Sequence, residues 1–211
     1  MRGANDLFQE CPAGEPEYVF RMKLKDEQKV SHIYQATLRV IGRTGIAGIS
    51  MAAIAKEAKL ATGTLYTYFE SKEELITSLY RESKKRSTAQ LFKGYEPTAP
   101  FKPALRNIWF NYLEDKLAHY EEGIFQEQYY NSPYVEAQTM QSSLLLMAPL
   151  FELLERGKRE LLVKDIDNKL LVIHLLGPVR ELVTLIRMDR RYQERMWLEL
   201  AFGLCWDGIK A

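Results

Sequence analysis

The sequence predicts an all-α protein with an N-terminal three-helix unit that contains a helix-turn-helix, followed by a larger helical domain. Three observations carry this reading. Apolar residues recur at helical spacing from Val30 onward. Basic charge is concentrated, with a net charge of +5 over residues 22–90 against −2 over 91–211 and −2 over 1–21. Such asymmetry suggests a small polyanion-binding module joined to a neutral body. Finally, Pro97, Pro100 and Pro103 cluster between the basic stretch and the remaining helical run, where they mark a break.

Each element has its own signal. Residues 1–25 show no clean period and read as an irregular leader, with Met22 a candidate native start because the helical pattern begins shortly after it. Val30, Ile33, Tyr34, Thr37, Leu38 and Ile41 then follow i, i+3, i+4, i+7, i+8, i+11, the stripe of an amphipathic helix. Asp26 and Glu27 stand at its positive-dipole end, and Gly42 and Gly45 stop it. Ser50 is a good N-cap for a short second helix, Met51–Ala58, whose alanines let another backbone approach. A break over Lys59–Ala61 leads into a third helix over residues 62–69. Ser71 and Glu74 form the S-x-x-E box that opens a fourth helix, predicted to run to about Phe92. The domain plan is a leader over 1–25, a helix-turn-helix domain over 26–72, a connecting helix over 73–96 and a second domain over 97–211.

Composition excludes several classes. Hydrophobic residues make up 46% and charged residues 27% of the 211-residue chain, which disfavours disorder and low complexity. Two cysteines, Cys11 and Cys205, lie too far apart for a CxxC module and argue against a disulfide scaffold. No apolar run approaches the length of a membrane span and no secretory h-region is present, so a cytoplasmic location is expected. HExxH, GxSxG and GxxxxGK[ST] are absent, and His32, His119 and His174 stand apart from other ligand types. Neither an enzyme nor a metal or cofactor site is expected.

Two short helices joined by a three-residue turn, after a longer packing helix, are what a DNA-reading helix-turn-helix needs. The second helix enters the major groove. Thr62, Thr64, Tyr66, Thr67 and Tyr68 suit it, since hydroxyls reach phosphates or base edges and their carbons can meet thymine methyls. Gly63 allows close backbone approach, Lys72 at the start of the fourth helix is a natural phosphate clamp, and Leu65 and Phe69, at i and i+4, should face inward.

Ile54-Ala55-Lys56-Glu57-Ala58, then Thr62-Gly63-Thr64-Leu65-Tyr66-Thr67-Tyr68-Phe69, then Ser71-Lys72-Glu73-Glu74-Leu75 closely resemble the DNA-binding domain of the tetracycline-repressor (TetR) family of bacterial transcriptional regulators. With Gly45 and Ser50 the resemblance covers roughly residues 28–80. It implies DNA contacts from Ser50, Thr62, Thr64, Tyr66, Thr67, Tyr68 and Lys72. Three positions depart from the family's pattern. Lys59 stands where the family usually has Gly, so a left-handed residue there costs about 1 kcal/mol; Ala61 replaces the usual capping Ser, and Thr62 a frequent Lys.

Beyond the prolines, residues 101–120, 124–130, 133–159, 166–188 and 190–209 read as five further helices. Residues 170–186 are apolar nearly all round, and Met196, Trp197, Leu200, Ala201, Leu204 and Cys205 form a broad stripe on the last helix. The resemblance implies a homodimer through the last two helices that reads a near-palindromic operator, with a ligand-binding and dimerisation role for this domain. Aromatic and Met side chains concentrate in the middle third, where Trp109, Tyr112, Phe125, Tyr129, Met147 and His174 are candidates to line an effector pocket, although for any single aromatic a plain core is the better reading. The leading expectation is a repressor released from its operator by a hydrophobic small molecule. A DNA-binding regulator with no such sensor, and a helical enzyme or interaction protein, remain alternatives.

Overall fold

The computed structural model describes residues 17–211, with side chains from Asp26 onward. Ten α-helices and two short 3-10 segments form the regular structure of these residues, and the chain divides into two compact units between Lys72 and Glu73.

In the first unit, α1 spans Glu17–Thr44. It therefore occupies part of the stretch 1–25 expected to be irregular. Pro16 precedes it directly, and no Pro or Gly follows until Gly42, while Met22, Lys23, Leu24 and Lys25 are all strong helix formers. Met22 thus lies inside a helix and not at its beginning, and residues 1–16 of the expected irregular leader lie outside the described residues. Gly42 is accommodated within the helix. Gly45, at φ 71°, closes it by donating to the Ile41 carbonyl at 2.8 Å.

α2 spans Met51–Ala58 and α3 spans Thr62–Tyr66. Ser50 caps α2, its hydroxyl accepting the Ala53 N–H at 3.2 Å. Met51, Ile54, Ala55 and Ala58 are buried, and with Ile33, Ala36 and Ile41 of α1, Leu65 of α3 and Phe69 they make the core of this unit. His32 of α1 hydrogen-bonds the Ala58 carbonyl at 2.8 Å, satisfying the open end of α2.

The second unit holds α4 from Glu73 onward; this helix spans Lys72–Leu91 as a whole. It continues with α5 (Phe101–Ala118), α6 (Tyr120–Tyr130), α7 (Ala137–Leu145), α8 (Ala148–Arg159), α9 (Asn168–Met188) and α10 (Arg195–Ile209). The predicted single helix over 133–159 is two helices. Pro149 at the start of α8 has no N–H to continue α7, so the chain breaks at Leu146 and Met147. Likewise, residues 190–193 form a 3-10 turn, and α10 begins only at Arg195.

α5 and α9 form the centre of this unit. Leu105, Ile108, Trp109 and Leu113 pack against Leu175, Val179 and Val183, with Leu150 and Leu154 of α8 and Phe202 of α10 completing the core. The Trp109 indole donates to the Leu175 carbonyl at 3.0 Å, so burying it leaves no donor unmet. Gly157 of α8 sits against the Phe101 ring, where a β-carbon would collide.

Candidate functional site

The helix-turn-helix is shaped by its turn. Lys59 adopts φ 55°, ψ 41°, the left-handed region, and its N–H reaches the carbonyls of Ala55 and Lys56. Leu60 donates to the Ala55 carbonyl at 2.9 Å, completing the closure usually served by glycine. Two arginines of α1 fix α2 from the side: Arg39 and Arg43 bind the two Glu57 oxygens at 2.7 and 2.6 Å. These hydrogen bonds hold the Glu57 carboxyl below the usual carboxylate range.

Leu65 and Phe69 point inward, and the polar members of α3 do not. Thr62, Gly63 and Thr67 are exposed, Thr64 is half-buried, and Tyr66 leaves 53% of its surface open. A β-carbon on Gly63 would meet nothing, so the surface above it is clear for close approach. α3 ends at Tyr66, short of the predicted residue 69, because the Thr67 hydroxyl donates to the Thr64 carbonyl at 2.6 Å and Phe69 leaves the helix to pack beside Tyr34, ring centres 5.8 Å apart. Ala61 offers no side-chain cap to α3. Ser50 is exposed and Lys72, at the first position of α4, is half-buried. Tyr68 is placed differently from an outward DNA contact: it is half-buried, and its hydroxyl donates to Asp26 of α1 at 3.0 Å.

The second unit contains a cavity of about 550 Å³ among α4, α5, α6, α8 and α9, closed in part by the end of α7. Tyr112 and Met147 line it. Trp109, Phe125 and Tyr129 do not; all three are fully buried core, Tyr129 stacked on Tyr80 with ring centres 4.0 Å apart. His174 is exposed on the other side of α9, against Gly208 of α10, whose missing side chain makes its space. Only packing between helices separates these residues from Tyr112, since all are aromatic or heterocyclic side chains on similar helices.

Among the lining residues outside the predicted set, three bring polar chemistry deep into the wall: Lys84 of α4, Lys116 of α5 and Gln126 of α6. A lysine in an amphipathic helix reads as solvated surface, and no local pattern shows that a neighbouring helix covers it. Burial, with the Lys116 ammonium adding, brings the Lys84 pKa down to about 8. Burial also lowers that of Lys116, and it pushes the Tyr112 phenol up to about 12. Behind the cavity, Arg86 binds Asp115 at 2.6 Å and Glu122 at 3.0 Å. Burial opposes its charge, and the two carboxylates outweigh that effect, raising it above the ordinary arginine range.

α9 and α10 expose a third feature. Leu185 and Met188 of α9 and Met196, Leu200 and Leu204 of α10 are all solvent-facing. Exposed apolar residues grouped on adjacent helices are the kind of surface that a partner covers.

Residues 33–79 match the family described as bacterial regulatory proteins, tetR family, and residues 100–210 match a tetracyclin repressor-like C-terminal domain. The chain belongs to the TetR family. An uncharacterized helix-turn-helix transcriptional regulator of Haemophilus influenzae is 38% identical over 79 residues, which are 37% of this chain and 42% of the relative. The chain spans less than half the length of the curated relatives it matches first. Among solved structures, a TetR family transcription regulator from Marinobacter aquaeolei VT8 superposes with a TM-score of 0.83 at 23% identity, covering 89% of this chain and 98% of that one. The transcriptional regulator FadR from Bacillus subtilis, solved in complex with stearoyl-CoA, superposes with a TM-score of 0.61 at 19% identity, covering 83% and 95%. These likenesses show the TetR fold in both units. Among the described residues no helix is long and apolar enough to cross a membrane, and no group of three or more His, Cys, Asp or Glu is placed to hold a metal ion.

Proposed function

We propose that this TetR-family protein is a sequence-specific DNA-binding regulator that represses transcription as a homodimer and leaves its operator when a small molecule with a hydrophobic body fills the cavity of the second unit. The observation that carries the reading is the outward face of α3. Thr62, Gly63, Tyr66 and Thr67 stand open around a helix start whose partner residues Leu65 and Phe69 hold it to the core. Ser50 and Lys72 flank that face in sequence and suit phosphates. Tyr68, its proton committed to Asp26, serves as a strut that positions α3 against α1.

The exposed apolar residues of α9 and α10 support the dimer, and the largely apolar cavity supports an effector. The complex of the Bacillus subtilis regulator with stearoyl-CoA supports ligand binding by a protein of this fold. Filling the cavity would favour a conformation in which the two recognition helices no longer match one DNA turn.

Selection of duplexes from a random pool by the full chain tests the DNA reading. The expected product is a near-palindrome with half-sites about one helical turn apart. On that duplex Lys72→Ala should weaken binding equally for all sequences and flatten the salt dependence by about one unit, whereas Thr67→Ala should change the preferred base. No enrichment over the starting pool would overturn the assignment.

A further inference from the structure

The cavity is polarised along its length. Lys84, Ser87, Thr88 and Leu91 line it from one helix, so a run of about 10 Å separates the ammonium of α4 from its apolar end. α5 runs alongside in the opposite sense: Asn111 donates to the Leu91 carbonyl at 3.1 Å while Asp115 meets Arg86 at 2.6 Å. Lys116 therefore lies at the Lys84 end. Gln126 closes that end, accepting from the Lys116 ammonium at 2.8 Å and donating to Ser83 at 2.7 Å. The opposite wall is Leu91, Leu144, Met147, Phe151, Val172 and Leu176.

The polar end carries more positive charge than negative: Lys84, Lys116 and Arg180 line it with a single carboxylate, Glu127. Among the described residues Lys84 has no carboxylate or hydrogen-bond acceptor for its ammonium, and that of Lys116 has the neutral Gln126 amide. Nearby carboxylates are committed elsewhere, Asp115 and Glu122 to Arg86 and Glu127 to Arg180 at 3.5 Å. Two partly buried ammonium groups with no directly bound carboxylate are unfavourable, and an anion entering between them relieves both. A neutral ligand would leave that penalty in place, and a cation would add to it.

We infer that the cavity binds an amphipathic anion, with a carboxylate or phosphate ester head held by Lys84 and Lys116 and a hydrocarbon tail laid against Leu91, Phe151 and Leu176. This inference rests on the effector reading above and names the chemistry of that effector. Lys84, which grips the head, belongs to the same helix that begins at Lys72.

Calorimetric titration of the full chain with dodecanoate, dodecyl phosphate, dodecanol and dodecyltrimethylammonium, each below its micelle concentration, tests it. Both anions should bind, dodecanol about tenfold or more weakly, and the cation not measurably. The stronger of the two anions identifies the head. Lys84→Met with Lys116→Met should cost the anions about tenfold or more while dodecanol binding holds or strengthens. Val172→Trp, which leaves both lysines in place and obstructs the tail, should weaken anions and alcohol together, so the result does not depend on one variant folding. Equal affinity for dodecanol and dodecanoate, or unchanged anion binding in the lysine double variant, would overturn the inference. Release of the selected duplex separates this from the effector reading. Anions that bind without releasing DNA uphold the site and sink the effector role, whereas release by a compound that needs neither lysine does the reverse.

Discussion

The two units use their cations in opposite ways. In the first, Arg39 and Arg43 grip Glu57 at the surface, and Lys56 and Lys59 are exposed to solvent. In the second, Lys84 and Lys116 line a partly open cavity and neither binds a carboxylate directly. Exposed charge remains solvated and available to a polyanion arriving from outside, with an energy that salt screens. Charge facing a cavity is unfavourable until a ligand enters, so it selects for a ligand of opposite sign. On the proposed reading, a basic residue advertises a partner in one unit and specifies a small molecule in the other.

The largest expected effects test whether the units fail separately. Leu65→Ala removes a fully buried side chain beneath α3, and Trp109→Ala removes the central indole of the second unit with its hydrogen bond to Leu175. Losses of about 2–5 and 3–5 kcal/mol respectively are expected. Leu65→Ala should abolish duplex binding while dodecanoate binding survives, and Trp109→Ala should impair ligand binding first. Calorimetric melting followed by both assays checks this. Loss of both functions in each variant would show that the units do not fold independently.

The same division governs what the sequence made legible. Ser50, the helix Met51–Ala58, the turn Lys59–Ala61 and the inward pair Leu65 and Phe69 were all readable, because caps, turns and i, i+4 spacing are local physics. The early start of α1 is not, because apolar periodicity begins at Val30 while backbone propensity carries the helix back to Glu17. In the second unit Pro149 was visible, yet the pattern on either side read as one helix. Trp109, Phe125 and Tyr129 could not be told from Tyr112, since which aromatic faces the cavity depends on helices distant in sequence. Lys84 and Lys116 were invisible for the same reason.

A smaller effect sharpens the contrast in charge. Lys84→Met should raise thermal stability near pH 7 by about 1–3 kcal/mol, because it removes an ammonium whose burial is uncompensated. Between pH 8 and 10 the advantage should shrink. The folded chain sheds the Lys84 proton near pH 8 while the unfolded chain keeps it to near 10.5, so the unfolded state binds more protons and wild-type stability rises with pH. Lys116 and Tyr112 from α5, Glu127 and Tyr130 from α6, and Lys169 and Arg180 from α9 line the same space and are common to both proteins. Comparing melting curves of the two across this range therefore isolates Lys84. A constant difference would mean that its ammonium is solvated.

Lys59→Gly should give the smallest change and probes the exposed cations of the first unit. Lys59 carries its side chain at φ 55°, a conformation that strains every residue with a β-carbon, and its side chain is exposed. Glycine relieves that strain but makes the unfolded chain more flexible, so a net gain of about 0.5–1 kcal/mol is expected in place of the full strain energy. Lys59→Ala separates backbone from charge: it keeps the β-carbon and should leave stability nearly unchanged. If both variants also bind the selected duplex with an unaltered salt slope, Lys59 touches no phosphate and its place in the turn is purely a matter of backbone. A slope flattened by about one unit in both would instead add Lys59 to the DNA contacts.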